Sequence, residues 1–175
     1  MVKKWKQIKE IPYHTEYRKM SKVTFKLPNG KLANFDIIKG NRLVSVFAVT
    51  ENNKVLLIRQ FRPGPQKVVF DLAGGGIDSF ESPNSAARRE LLEETGYAAG
   101  QLHLLGKAIK GPYDSAIRYN FIALKCKRIS NPTLDEHEFI EPVLVSFEQL
   151  RKYLKSCVLI DVATGYLALD YLKLL

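Results

Sequence analysis

The sequence predicts an α+β fold, in which helices pack against a mixed β-sheet and a small antiparallel sheet precedes them. Strand-like runs dominate residues 1–72 and return after residue 100, and a helix-like segment begins near residue 82. Two further stretches with helical spacing, residues 147–156 and 164–174, close the chain. At 175 residues and 46% hydrophobic composition, the chain is long enough for one well-packed domain with a small appendage.

The N-terminal residues 1–40 are predicted to form the small antiparallel sheet, and residues 41–175 the main domain. Residues 22–27 alternate apolar and polar side chains, a Pro-Asn-Gly turn follows, and residues 32–38 return as a second strand. A lone hairpin of this size is marginally stable in water. We therefore expect it to pack on the main domain or on a second copy of the chain.

The main domain is predicted to contain several apolar strands on either side of the central helix. Residues 110–118 between two of them are polar and contain a proline, so they are predicted to be a loop, and residues 130–141 are predicted to form an acidic loop. The predicted strands are 43–49, 55–58, 68–72, 101–109, 119–125 and 142–146.

The segment from Ser82 to Glu94 carries the signals of an amphipathic helix. Ser82 is a favourable N-cap, Pro83 suits the first helical position, and Gly96 ends the element. Its apolar stripe consists of Ala86, Ala87, Leu91 and Leu92.

Three carboxylates of this helix are predicted to crowd onto one face. Glu90, Glu93 and Glu94 stand at i, i+3 and i+4, where like charges repel. An acidic face can simply be solvated, but a bound hard cation such as Mg²⁺ or Mn²⁺ explains a cluster that works against the helix. Glu81 can turn toward the same place, and the flexible glycines 74–76 let backbone carbonyls approach an ion.

Composition excludes several other classes of protein. No apolar run approaches 20 residues, and the basic N-terminus lacks the apolar region of a secretory signal. Cys126 and Cys157 are too few for a disulfide framework, so we expect buried, reduced thiols in a cytoplasmic protein. The net charge of +9 favours polyanions, but the basic residues are scattered and no nucleic-acid motif is found, so nucleic acid is not the favoured partner.

The whole stretch around the acidic helix resembles the Nudix box. The matching positions are Gly75, Glu81, Arg89, Glu90, Leu91, Leu92, Glu93, Glu94, Thr95, Gly96 and Tyr97. Flanking segments are similar to the ADP-ribose pyrophosphatase and nucleoside diphosphate sugar hydrolase branch of that superfamily, namely residues 59–63, Asp71, Ile77, Asp78, Pro112 and residues 138–141. The resemblance implies an α/β/α sandwich and hydrolysis of the pyrophosphate bond of ADP-ribose.

The resemblance also implies roles for individual residues. The metal ligands would be Glu90, Glu94, Glu93, Glu81 and the Gly74 carbonyl. Arg89 would hold these glutamates in place, and Glu138 in the late acidic loop would be the catalytic base, with Glu136 as the alternative.

Substrate contacts follow from the same resemblance. Arg62 would clamp the diphosphate or the terminal sugar, with Arg59 as a second cation, and Pro112 lies in a loop that touches substrate. Tyr17 and Phe35 would sandwich the base between the N-terminal sheets of two subunits, unless they are ordinary core residues. A homodimer formed through that sheet is therefore expected.

Some positions depart from the branch pattern. Ala73, Gly74, Asp71, Phe80 and Tyr113 replace its usual residues, so metal chemistry should survive while substrate choice can differ. The alternatives are a Nudix hydrolase of another substrate, such as GDP-mannose or 5′-capped RNA, and a non-catalytic nucleotide-sugar sensor. The intact glutamates and Arg89 argue against the sensor.

Overall fold

The computed structural model describes residues 2–175, and the chain forms two compact units. The first unit contains the chain up to Arg42 together with Ala108–Arg118, and the second contains Leu43–Lys107 and Tyr119–Leu175. The first unit therefore includes a segment of the predicted main domain. Residue 1, which the predicted sheet domain included, lies outside the described residues.

The described residues form ten strands and three helices. The strands are β1 (Lys6–His14), β2 (Lys19–Lys26), β3 (Leu32–Ile38), β4 (Arg42–Thr50), β5 (Val55–Arg62), β6 (Lys67–Asp71), β7 (Tyr97–Ala98), β8 (Gln101–Gly111), β9 (Asp114–Arg128) and β10 (Ile140–Val145). The helices are α1 (Pro83–Thr95), α2 (Phe147–Leu154) and α3 (Val162–Tyr171).

The first unit is built around an antiparallel sheet of β1, β2 and β3. The predicted hairpin is present, with Phe25 opposite Ala33 and Val23 opposite Phe35. Strand β1 adds on the other side of β2, with a register shift between Gln7 and Lys9. The end of β3 pairs in parallel with the start of β9, where Ile38 lies opposite Asp114.

The second unit is an α/β/α sandwich, as predicted. Strand β5 pairs antiparallel with β4, β6 and β10, and β9 is the neighbour of β4 on its other side. Alternate residues of β4 point into two separate cores: Val46 packs in the same cluster as Leu91 of α1, whereas Phe47 packs in the same cluster as Leu150 of α2 and Leu169 of α3. The sheet therefore holds α1 on one face and the two C-terminal helices on the other.

Three features of the structure differ from the sequence-based expectations. Residues 110–118 are not a loop: β8 continues to Gly111 and β9 begins at Asp114, so only a tight turn separates them. Strand β1 was not predicted, because its charged residues and register shift break the alternation that marks a strand.

Of the two cysteines, Cys126 is buried as expected, whereas Cys157 is exposed; both are free.

None of the helices in residues 2–175 combines the length and apolar character that a bilayer crossing requires.

A buried polar network ties β9 to the start of α3. The Asp161 side chain caps the helix by accepting from the Thr164 backbone N–H at 3.1 Å. The Thr164 hydroxyl donates to an Asp161 carboxylate oxygen at 2.6 Å and lies 3.0 Å from the Asn120 side-chain amide. All three residues are buried, so these hydrogen bonds replace contacts that bulk water would otherwise make.

Replacing Thr164 with valine should therefore destabilise the protein. The substitution keeps the side-chain shape and removes the hydroxyl from buried partners, which costs about 1–3 kcal/mol of unfolding free energy. Thr24→Val is the matched control, because its hydroxyl bonds to Asn34 on an exposed strand and its loss should cost under about 0.5 kcal/mol. Urea unfolding followed by circular dichroism measures both, and equal losses would contradict the assignment.

Candidate active site

Arg89 is the centre of the carboxylate cluster on α1. Its Nε and one terminal nitrogen donate to the two oxygens of Glu81 at 3.1 and 3.0 Å. The other terminal nitrogen donates to Glu90 at 2.9 Å and to Glu93 at 3.0 Å. The remaining N–H donates to the Gly76 carbonyl at 2.9 Å, so all five guanidinium donors are used. Arg89 therefore bonds directly to three of the predicted metal ligands, and its role in holding them for catalysis stays a prediction.

Local sequence signals position this cluster. Ser82 caps α1 by accepting from the Ser85 backbone N–H, Pro83 occupies the first helical position, and Gly96 ends the helix with a left-handed φ of 75°. These caps fix where the helix begins and ends, and therefore which residues reach the glycine segment that precedes it.

Glu94 lies deeper than the other carboxylates, on the buried side of α1. It is 5% exposed, and its carboxylate accepts from the Gly74 backbone N–H at 2.7 Å. The carbonyls of Ala73 and Gly75 accept hydrogen bonds from Val46 and Val44 of β4. Because backbone groups alternate in direction along an extended segment, those of Gly74 face away from β4 and toward α1.

Close approach to backbone requires glycine at position 74, and the Glu90 carboxylate lies close to position 75. A Cβ at Gly74 would lie 2.3 Å from the Val44 carbonyl oxygen, and one at Gly75 would lie 2.5 Å from a Glu90 carboxylate oxygen. The unusual glycine at position 74 therefore lets the segment pack tightly on β4, and Gly75 leaves room for the Glu90 carboxylate.

The carboxylates differ in their affinity for protons. The pKa of Glu94 is raised to about 8, mainly by burial and also by the charges of Glu90, Glu138 and Asp71, while the Gly74 hydrogen bond opposes the shift. Burial likewise raises the pKa of Glu90, although Arg89 opposes the shift. The Arg89 hydrogen bonds lower the pKa of Glu81. Glu94 and Glu90 therefore repel each other in a partly dehydrated site.

Glu138 belongs to the same electrostatic neighbourhood. Its charge raises the pKa of both Glu90 and Glu94, which places it near them although about 45 residues separate them in sequence. The loop that carries it is held to the end of α1 by a hydrogen bond of 2.8 Å from the Thr133 backbone N–H to the Glu93 carbonyl. The Glu138 carboxylate is exposed and accepts from the Asp135 backbone N–H at 3.3 Å.

The donor set fits a divalent cation. Within residues 2–175 no three His, Cys, Asp or Glu side chains form a ready-made ligand group, and the glutamate oxygens are instead bonded to Arg89 and to the Gly74 N–H. The donors are nevertheless all hard oxygens. Glu90, Glu94 and Glu138 repel one another, and a cation would neutralise their negative charge. The predicted roles of Glu90 and Glu94 as metal ligands stay predictions.

The predicted substrate arginines lie in ion pairs on neighbouring strands. Arg62 donates to Asp71 at 3.1 Å across the hairpin of β5 and β6, and Arg59 lies 3.1 Å from Glu141 of β10. Both guanidinium groups are about half exposed, so each keeps donors for a ligand. Asp71 is a residue that sequence reasoning gave no role; it is buried, and burial raises its pKa in spite of Arg62.

The other predicted substrate contacts belong to the first unit. Tyr17 lies in the turn between β1 and β2 and is exposed. Phe35 stacks on Tyr113, with ring centroids 6.1 Å apart, and also contacts Trp5 and Phe25, so it belongs to an aromatic cluster. Pro112 lies in the exposed turn between β8 and β9. Their roles toward substrate stay predictions.

Comparison with known proteins agrees with this geometry. The profile of the NUDIX domain matches residues 41–158. The chain is 34% identical over 150 residues to an ADP-ribose pyrophosphatase from Bacillus subtilis (strain 168), covering 85% of this chain and 80% of that protein. It is 30% identical, with the same coverage, to a methanol dehydrogenase activator from Bacillus methanolicus.

More distant relatives extend the comparison to other substrates and to the fold. A GDP-mannose pyrophosphatase from Enterobacter sp. (strain 638) is 28% identical over 145 residues, covering 78% of this chain and 75% of that protein. The crystal structure of an ADP compounds hydrolase superposes with a TM-score of 0.86 over 99% of this chain and 96% of the other, at 23% identity. This last likeness shows the fold.

The raised pKa of Glu94 predicts how stability depends on pH. Without divalent ions, the folded protein keeps a proton on Glu94 that the unfolded chain releases near pH 4.5, so the unfolding free energy should fall as the pH rises from about 5 to 8. Glu94→Gln should flatten this decline and still offer an oxygen to the Gly74 N–H.

Urea unfolding in EDTA at several pH values measures this effect, and excess Mg²⁺ should reverse the decline in the wild-type protein. Glu148→Gln is the control, because the pKa of Glu148 is lowered by Lys152 on the surface. A decline that Glu94→Gln leaves unchanged would contradict the assignment.

Proposed function

Because the chain belongs to the Nudix hydrolase family, we propose that it splits the pyrophosphate bond of ADP-ribose, giving AMP and ribose 5-phosphate, or that of a related nucleoside diphosphate sugar. The observation that carries this proposal is the Arg89-centred cluster of Glu81, Glu90 and Glu93 beside the buried Glu94. The similarity to the ADP-ribose pyrophosphatase of Bacillus subtilis supports the substrate class.

Nudix hydrolases generally need a divalent metal, and we expect Mg²⁺ here, with Mn²⁺ as a substitute. The donors are all carboxylate or carbonyl oxygens, which these hard ions prefer. Glu90 and Glu94 would be the principal ligands, with Glu93, Glu81 and the Gly74 carbonyl completing the site. When bound, the ions supply charge neutralisation on the phosphoryl oxygens and a lower pKa for the attacking water.

The reaction joins a water oxygen to one phosphorus and breaks the bridging bond from that phosphorus to oxygen. The water gives up a proton, and Glu138 is the proposed acceptor, because it is an exposed carboxylate near Glu90 and Glu94. The bridging oxygen leaves on the other phosphate. Arg62 and Arg59 would bind the diphosphate or sugar with the donors that their ion pairs leave free.

We further propose that the protein acts as a cytoplasmic homodimer that binds a small nucleotide sugar. Strand β1 supports an assembly through the N-terminal sheet, since it pairs with β2 on one side and is exposed along its whole length. Tyr17 and Phe35 are the aromatic residues proposed to contact the base, and Pro112 the residue proposed near the sugar. The two free cysteines are compatible with a reducing compartment.

A substrate panel tests the proposed activity. With Mg²⁺ present, kcat/KM should be highest for ADP-ribose, by about tenfold or more over ADP-glucose, GDP-mannose, NADH, a nucleoside triphosphate and a capped RNA oligomer. A tenfold preference corresponds to about 1.4 kcal/mol of differential transition-state binding. Glu94→Gln is the inactive control. Preference for GDP-mannose would reassign the substrate and keep the family chemistry.

Glu138→Gln should isolate the proton-accepting step. We expect kcat to fall by about 10²–10⁴, the usual contribution of a general base, with KM changed little because the amide keeps the size of the side chain. Glu136→Gln in the same exposed turn is the matched control and should keep most of the activity. If Glu136→Gln instead loses turnover and Glu138→Gln does not, the base is Glu136.

A further inference from the structure

The net charge of this protein is confined to its first unit. That unit holds 13 Lys and Arg residues against four Asp and Glu residues, whereas the second unit holds 14 of each. The whole net charge of +9 therefore belongs to about a third of the chain. The expectation that the basic residues are scattered is wrong once the fold groups them.

Part of this charge lies on one face of the N-terminal sheet. In the register of β1 and β2, Lys6 lies opposite Lys26, Lys9 lies opposite Thr24, and Lys22 lies opposite Ile11. Paired residues project from the same side of a sheet, so these four lysines share one face. We call Lys6, Lys9, Lys22 and Lys26 the basic face.

The basic face is the solvent side of the sheet, and its charges are not neutralised. Its four lysines are exposed, whereas Val23 and Ser21 on the opposite side are 2% and 1% exposed. Across residues 2–175 none of the four makes an ion pair. Like charges directly opposite each other, such as Lys6 and Lys26, destabilise a sheet. A bound polyanion would neutralise these charges and relieve their repulsion, which would favour binding.

A concave site with an aromatic wall adjoins the basic face. It has a volume of about 700 Å³, and Trp5, Lys3 and Lys4 line it together with Lys6 and Lys26 of the basic face. The Trp5 ring is 40% exposed and contacts Phe25 and Phe35, with ring centroids 6.3 and 5.8 Å away. Phe25 and Phe35 project from the same side of the sheet as Val23, opposite the basic face, so the Trp5 site meets the basic face at the end of the sheet, at Lys6 and Lys26. A rigid, half-exposed indole among lysines can stack on a flat ring whose neighbours are phosphates.

We propose that single-stranded nucleic acid binds along the basic face and passes round the end of the sheet at Lys6 and Lys26, with phosphates on the lysines and an unpaired base on Trp5. The row of lysines along β1 and β2 is longer than one nucleotide requires, which favours a chain of phosphates over a free nucleotide. A duplex hides the faces of its bases, so it cannot use Trp5. This binding is separate from the proposed hydrolytic site, which belongs to the second unit.

Fluorescence anisotropy of the full chain with labelled 12-nucleotide oligo(U) and oligo(dT) tests the proposal. If the four lysines of the basic face contact phosphates, the logarithm of the affinity should fall by about 3 per tenfold rise in salt, or about fifty-fold between 50 and 200 mM. Comparable binding of the two strands means that the 2′-hydroxyl is not read, and stronger binding of oligo(U) means that it is; both support the proposal.

Lys9→Gln with Lys22→Gln should reduce the loss between the two salt concentrations to about sevenfold, because two phosphate contacts remain. Lys155→Gln with Lys173→Gln removes the same charge from exposed positions of the second unit and should leave the binding unchanged. Trp5→Leu should weaken binding of the single strands about tenfold with the salt dependence retained. The lysine variants keep the test valid if Trp5→Leu does not fold.

Three results would overturn the proposal. The first is no anisotropy change at 50 mM salt with micromolar protein. The second is equal weakening by the two lysine pairs, which would show that only overall charge matters. The third is binding of a blunt duplex, of heparin or of vesicles with anionic lipid that is as tight as that of the single strands, which would assign the surface to another polyanion.

Discussion

The candidate active site depends on the saturation of one guanidinium group. Arg89 has five N–H donors, and the structure uses every one, two on Glu81 and one each on Glu90, Glu93 and the Gly76 carbonyl. These charge-assisted bonds join the helix that carries the glutamates to the glycine segment and the turn that precede it. Lysine could not make the same set of contacts, because its three donors radiate from one atom.

The rest of the second unit supplies the surroundings in which this group works. The Gly74 segment approaches β4 so closely that a side chain would collide with the Val44 carbonyl, and its N–H then reaches Glu94. Burial beside the glycine segment is the main cause that raises the pKa of Glu94 to about 8. The loop that bears Glu138 is hydrogen-bonded to the end of α1 through the Thr133 N–H and the Glu93 carbonyl. Negative charge is thereby concentrated where a divalent ion would bind, at a cost in stability that the ion would offset.

Local sequence signals predicted the parts of the site that depend on local structure. The cap at Ser82, the helix through Glu94 and the glycine stop all follow from short-range rules, so the clustering of the glutamates could be predicted. Two ion pairs depend on how β5 aligns with its neighbouring strands, and sequence patterns do not determine that register. They are Arg62 with Asp71 across β5 and β6, and Arg59 with Glu141 across β5 and β10. The basic face depends in the same way on β1, whose register shift hid it from pattern reading.

The most direct test of the central claim is Mn²⁺ binding to Arg89→Lys, measured by electron paramagnetic resonance beside Arg88→Lys. Arg88 is the neighbouring arginine on the same helix and bonds instead to Asn84 and to the Ala99 carbonyl. If Arg89 organises the carboxylates, its replacement should weaken Mn²⁺ binding by about 10–100-fold, the usual effect of removing a group that orients metal ligands. The Arg88 variant should bind as the wild type does. Unchanged Mn²⁺ affinity in Arg89→Lys would contradict the account.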